Sequence, residues 1–157
     1  MGRGRAGAAT RARTLSDPVL LLDAGALVAS VDRGERRHEA VRAIVENSPQ
    51  RLVTSQIVLA EVDYLLLTRG GVDVESMFLA DVAAGAYEAE CLSPDELRLA
   101  HRVVVGYRDL EVGLADASMV VLAARYGTST IVTLDERCFR AMEPLTGGYF
   151  TLLPADL

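Results

Sequence analysis

The chain has 157 residues, half of them hydrophobic and 24% charged, as suits one soluble globular domain with a sizeable core. Its 16 basic residues are all arginine, and 22 acids bring the net charge to −6. The first 16 residues hold four of those arginines and no acid, so the remainder is more acidic still; this argues against a passive nucleic-acid-binding module, though not against a protein that concentrates divalent cations.

No apolar run approaches the roughly 18 residues that a membrane helix needs. The longest, Pro18 to Val31, carries Asp23 in its middle, so a cytoplasmic protein without membrane association is expected. Aromatic residues are few and Trp is absent, which leaves little to stack bases on. Cys91 and Cys138 are too isolated for a disulfide framework or a zinc site and read as reduced thiols.

Residues 1–17 are small, Arg-rich and without apolar periodicity, and are expected to be a disordered extension rather than a transit peptide. The folded domain is expected over 18–157. Val19 to Leu22 is a continuous apolar run ending at Asp23, the pattern of a buried parallel strand. Helices are predicted over 24–30 and 37–46, then a short strand at 52–54. Ser55 can cap a following helix with an apolar stripe of Ile57, Val58, Leu65 and Leu66, ending at Gly70–Gly71. A helix over 73–84 and a strand over 87–92 come next. Ser93, Pro94 and Glu96 spell a capping box with Pro at the first helical position, opening a helix to about residue 107. A helix over 114–126 stops at Gly127; strands follow at 131–134, ending at Asp135, and at 150–153. Strands alternating with helices predict an α/β three-layer sandwich, a mostly parallel sheet with helices on both faces.

Ligands of such sheets bind beyond the carboxyl ends of the strands. Asp23 and Asp135 both end apolar strands, and share one rim if their strands are neighbours; singly, either is explained as a helix cap. Glu61 is predicted on the same helical face as Ile57, Val58, Tyr64 and Leu65, an anion on a stripe that should be buried, which is costly unless paired or metal-bound. Asp116 shares a face with Met119, Val120 and Ala123, although a first-turn charge explains it too. Four carboxylates without His or Cys would make a hard, oxygen-rich site suited to Mg²⁺ or Mn²⁺ and to phosphoryl chemistry. Arg33, Arg36, Arg37 and His38 follow the first helix beside the expected rim and are candidate phosphate contacts; Arg137 and Arg140 follow Asp135. Asp63 is a weaker candidate, two residues beyond Glu61.

The segments LLLDAGALVASVD, TSQIVLAEVDYLL, GLADASMVVLAARYGTSTIVTLDERCF and GGYFTLLP together resemble the PIN-domain ribonucleases, and within them the VapC-type toxins of toxin–antitoxin pairs. The resemblance spans residues 19–154. It implies a PIN domain in which Asp23, Glu61, Asp116 and Asp135 bind Mg²⁺ or Mn²⁺, Asp23 and Asp116 most directly, with Thr133 supporting. It also implies endoribonuclease activity, in which metal-activated water cleaves RNA phosphodiesters to leave a 5′-phosphate and a 3′-hydroxyl. The partners implied are a VapB-like antitoxin and a second copy of the chain in a homodimer. One departure stands out: Ala24–Gly25 follows the first Asp where the family commonly places Ser or Thr.

Other readings weigh less. A receiver-like phosphotransfer module needs a Lys that the chain lacks, and an aspartyl-nucleophile phosphatase needs an Asp where Gly25 stands. A catalytically silent PIN-like module binding RNA or a partner would be expected to lose an acid, and all four are present.

Overall fold

The computed structural model describes residues 17–157, so apart from Asp17 the extension expected at 1–17 lies outside the described residues. Five strands pair in parallel: β1 (Val19–Leu22), β2 (Arg51–Ser55), β3 (Glu88–Glu90), β4 (Thr130–Val132) and β5 (Thr151–Leu153). Their order in the sheet is β3-β2-β1-β4-β5. The expectation of a mostly parallel sheet is thereby sharpened to an entirely parallel one among the described residues.

Between the strands run α1 (Ala24–Val31), α2 (His38–Asn47), α3 (Gln56–Gly70), α4 (Val72–Ala83), α5 (Pro94–Gly106), α6 (Leu114–Tyr126) and α7 (Glu136–Ala141). The chain walks from β1 through β2 to the β3 edge, then crosses back over the sheet to β4 and β5. Right-handed crossovers in opposite directions put helices on both faces. The strand order therefore reverses between β1 and β4, the place where such sheets open a crevice. Both strands are largely apolar and buried because they are central: every side chain of β1 and those of Ile131 and Val132 are in the core, with only Thr130 partly exposed.

Two local expectations hold in atomic detail. The Ser55 hydroxyl accepts from Val58 N to cap α3, and Ser93 with Glu96 forms a reciprocal capping box on α5. Two do not. The buried stripe of α3 is Val58, Val62 and Leu66, so Glu61 and Tyr64 lie outside it and are exposed. Helix α3 is apolar on most sides, and its neighbours α1, α4 and α6, not its own pattern, decide which stripe turns inward. Helix α7 was not foreseen; at six residues it is shorter than the window over which helical periodicity can be read.

Candidate active site

The rim above β1 and β4 gathers the acids. Asp23 directly follows β1; its N–H donates to Val132 O of β4 at 3.0 Å, which closes the parallel ladder and sets the residue at the switch point. Asp23 is 5% exposed. Its Oδ2 accepts a hydrogen bond from the Thr133 hydroxyl at 2.9 Å, and the same Thr133 oxygen accepts from the Asp135 N–H at 3.0 Å. One hydroxyl thus ties the first strand-end carboxylate to the loop that carries the last. Asp135 itself is exposed, and its Oδ1 accepts from Cys138 N to cap α7.

Asp116 stands in the first turn of α6, half-buried, with Oδ2 accepting from Gly113 N at 3.2 Å. The helix behind it is buried on all sides from Ala117 to Ala123, so the face shared with Met119 and Val120 carries no information about Asp116. What matters is position: the N-terminal turn of α6 opens on the rim. Glu61 comes in from the second turn of α3. Its reason for being there is proximity to Asp116 and Asp23 across the opening, not burial in an apolar stripe.

The electrostatics record that convergence. Burial chiefly, and then the charges of Asp116 and Glu61, push the Asp23 carboxyl up to about 7, against the pull of Thr133 and the Ala24 N–H. Partial burial and the Asp116 charge raise Glu61, and burial with the Asp135 charge raises Asp116. Burial and the charges of Asp116, Asp135 and Asp23 lift the Cys138 thiol to about 12, which favours its protonated form. Each acid feels another, and none of the four is ion-paired among the described residues.

Helices α3 and α6 are joined at their first turns by a buried hydroxyl chain that the sequence did not flag. Ser118 Oγ spends its proton on Ala115 O at 2.6 Å, so in the 2.7 Å contact between the two hydroxyls Ser55 is the donor. Ser55 in turn accepts from Val58 N. The chain connects the turn before Glu61 to the turn that bears Asp116. Its one sequence signal is a hydroxyl inside the apolar run LADASMVVLAA.

The predicted basic residues separate. Arg137 lines the small cleft of about 80 Å³ that Asp116 and Asp135 enclose with Leu110, Glu111 and Cys138. Arg36 and Arg37 line a second cavity of about 180 Å³ with Glu35, Thr133, Leu134 and Glu136. Arg33 is exposed and lines neither. His38 is 5% exposed and its Nδ1 bonds Ala29 O at 2.7 Å; it pins α2 to α1 and is not presented to a ligand. Arg140 is taken by Glu136 and Asp156. Asp63 faces Glu75 of α4, with which it shares a hydrogen bond, and does not join the acids.

Gly25 is spacious: a Cβ there would meet Leu134 Cβ at 3.5 Å, ordinary contact. The position would admit a hydroxyl side chain; in this chain the hydroxyl on Asp23 comes from Thr133 instead.

Among the described residues, no three His, Cys, Asp or Glu side chains stand close enough to cage an ion as they are placed. The acids interact in pairs, Asp23 with Asp116 and Glu61, Glu61 with Asp116, and Asp116 with Asp135, and all are oxygen donors. Oxygen donors so spaced suit a hard cation that keeps several of its waters.

Comparisons with known proteins show the family. The PIN-domain family profile matches residues 20–143. Ribonuclease VapC26 of Mycobacterium tuberculosis is 45% identical over 135 residues, covering 86% of this chain and all of that protein. The chain is a PIN-domain protein of the VapC family. Solved structures carry the same PIN fold. VapC20 of M. tuberculosis, described as a sarcin–ricin loop cleaving toxin, superimposes with TM-score 0.69 at 21% identity, over 74% of this chain and 90% of that one. VapBC2 of Rickettsia felis, bound to a DNA fragment from its promoter, gives TM-score 0.60 at 16% identity, over 85% and 98%. At those identities the likeness speaks for the fold of this VapC-family chain. Among the described residues no helix is long and apolar enough to cross a membrane.

Proposed function

We propose that this VapC-family protein is a Mg²⁺- or Mn²⁺-dependent endoribonuclease, the toxin of a toxin–antitoxin pair. The observation that carries the reading is the mutual approach of Asp23, Glu61, Asp116 and Asp135, three of them held above the usual carboxylate range with burial first among the causes and a neighbouring acid's charge adding to it. Mutually repelling oxygen donors with no ion pair among the described residues are what a divalent cation relieves. The donor set fits such an ion: all oxygen, no imidazole or thiolate, open to water on one side.

Asp23 and Asp116 would hold the ion most directly, with Glu61 and Asp135 completing the site or acting through water. When bound, it supplies Lewis acidity and a water of lowered pKa for attack on a phosphodiester. The chain's own residues do the rest. Thr133 orients the Asp23 carboxylate, leaving its other oxygen for the cation. Arg137, which lines the acid cleft, would meet a phosphate oxygen of the substrate. The burial of Asp23 keeps bulk water from screening these charges.

A VapB-like antitoxin and a homodimer are proposed with the same reading, supported by membership of the VapC family. A silent PIN-like binding module would not need four unpaired acids. The test is direct. Purified protein is expected to cleave RNA with Mg²⁺ or Mn²⁺ and to stop with EDTA, and metal-independent cleavage overturns the mechanism. A small gene immediately upstream encoding a DNA-binding antitoxin is expected; its absence points to a solitary nuclease.

A further inference from the structure

Between α5 and α6 the chain makes one tight turn, Arg108–Leu110, and then reverses through Glu111. The φ of 55° and ψ of 36° at Glu111 lie in the left-handed region, where a Cβ crowds the following carbonyl. The other five left-handed positions among the described residues are all glycine: Gly71, Gly85, Gly127, Gly147 and Gly148. Asparagine and aspartate offset that strain by bonding their own backbone through a short side chain; glutamate lacks the device. The conformation at Glu111 is imposed from both sides, since its N–H donates to Arg108 O at 3.2 Å and the next residue, Val112, is buried in the core. The Glu111 side chain is exposed and lines the acid cleft with Asp116, Asp135 and Arg137. It has neither an ion pair nor a hydrogen bond among the described residues. The fold thus bears the strain of a side chain from which it gains no polar contact, and that side chain stands in the cleft; strain kept in this way belongs to sites.

We propose that Glu111 is a specificity-determining residue of the ribonuclease site, its carboxylate accepting a hydrogen bond from the nucleotide beside the reacting phosphate. The inference rests on the ribonuclease reading and extends it. An ionised carboxylate only accepts hydrogen bonds, so Glu111 repels the phosphate itself and takes an N–H or O–H donor. Next to the phosphate, RNA offers two such donors: the exocyclic amino group of adenine, cytosine or guanine, and the ribose 2′-hydroxyl. Being exposed where Asp116 is half-buried, Glu111 stands apart from the acids that would hold the cation, on a part of the cleft open to an arriving strand. A contact to the base edge carries sequence information, which the Arg137 contact to phosphate does not.

The experiment gives the full chain, with Mg²⁺, a pool of synthetic RNAs of about 20 nucleotides with a randomised centre, and sequences the cut ends. The parent is expected to favour bases with an amino group over uracil at one position flanking the cut, by about tenfold. Glu111→Gly removes the acceptor and the strain together, and is expected to bring that ratio within about twofold. Glu111→Gln keeps an acceptor oxygen and is expected to fall between the two. A second arm places a single 2′-deoxynucleotide on either side of the preferred cut; attack by water leaves the 2′-hydroxyl out of the chemistry, so any slowing reports on binding. A flat base profile, with the parent slowed about fivefold by one deoxy substitution and Glu111→Gly not slowed, identifies the ribose as the donor. Glu111→Gly is also expected to melt no lower than the parent and to bind Mn²⁺ as tightly, since neither the fold nor the cation loses a donor. If Glu111→Gly keeps the parent's base profile and its response to the deoxy substitutions, or if lost discrimination comes with weakened Mn²⁺ binding, the proposal is overturned whatever the fate of the ribonuclease reading. If the parent cuts no RNA with either Mg²⁺ or Mn²⁺, the reading beneath fails and the proposal falls with it.

Discussion

Two regions of this molecule crowd carboxylates together, and they treat them in opposite ways. At the β3 edge, Glu90 and Glu96 close on Arg125 of α6, each at 2.7 Å, and Arg125 also donates to Cys91 O. Hydrogen bonds from that guanidinium, first among the causes, hold the Glu96 carboxyl down to about 2. At the β1–β4 rim, four acids approach one another with no ion pair among the described residues, and Asp23 is pushed up to about 7. The first region uses charge to fasten β3, α5 and α6 together. The second keeps its charge unsatisfied, and that costs stability in the free protein. Unsatisfied charge at a strand rim marks a site; satisfied charge at a sheet edge marks a joint.

The largest effect expected from breaking this contrast is on catalysis. Asp116→Asn should lower RNA cleavage at saturating Mg²⁺ by about 100-fold or more, since it removes a direct donor to the ion, while thermal unfolding of the metal-free protein is unchanged or moves upward because a repulsion is gone. Cleavage near the parent rate would remove Asp116 from the site.

Next comes pH. A carboxyl whose folded value is raised stabilises the fold when protonated, so the Asp23 contribution is complete below the ordinary value of 3.8 and is lost as pH rises through about 7. A shift of that size is on the order of a few kcal/mol. Glu96 has the opposite sign: its contribution is present above 4.5 and lost as pH falls through about 2. Metal-free protein should therefore melt lower at pH 8 than at pH 5, and lower again in strong acid, with saturating Mg²⁺ removing the alkaline loss. Differential scanning calorimetry with and without Mg²⁺ measures both limbs. An alkaline limb that Mg²⁺ leaves untouched would place its cause elsewhere.

Arg125→Met attacks the joint instead. It leaves Glu90 and Glu96 without their counter-charge and should cost about 2–3 kcal/mol, read as a drop in melting temperature, with Mn²⁺ affinity unchanged. The smallest effect expected is from Ser118→Ala. Losing the link from Ser55 should cost about 1 kcal/mol and weaken Mn²⁺ binding a few-fold, because the first turns of α3 and α6 are no longer tied. Titration calorimetry separates the two variants: stability falls in both, metal affinity only in the second.

Much of this was legible before folding. The apolar runs VLLL and IVTL announced two central parallel strands, and the sheet pairs them side by side; Asp23 directly follows the first, whereas β4 ends at Val132 and Asp135 lies three residues on, as the cap of α7. Ser55 and Ser93 marked helix starts, because capping is a local bargain between a side chain and its own next turn. Glu61 was found for a reason that the fold does not support. The pattern of α3 put it on a buried stripe, whereas it is exposed and reaches the rim by proximity to Asp116. His38 was grouped with the arginines by adjacency in sequence, yet packing drew it inward to Ala29.

What the sequence by itself determined is therefore the alternation of elements, the strand-end acids and the helix caps, all of which depend on neighbours within a turn or two along the chain. The tertiary structure alone decided which stripe of α3 is buried, that one Thr133 hydroxyl serves both Asp23 and Asp135, that Ser55 meets Ser118 across 63 residues of chain, and that the loop after β4 borders two separate openings. Helices that are apolar on nearly every side carry no phase of their own, and contacts between distant residues have no local signature; both are settled only when the elements pack against each other.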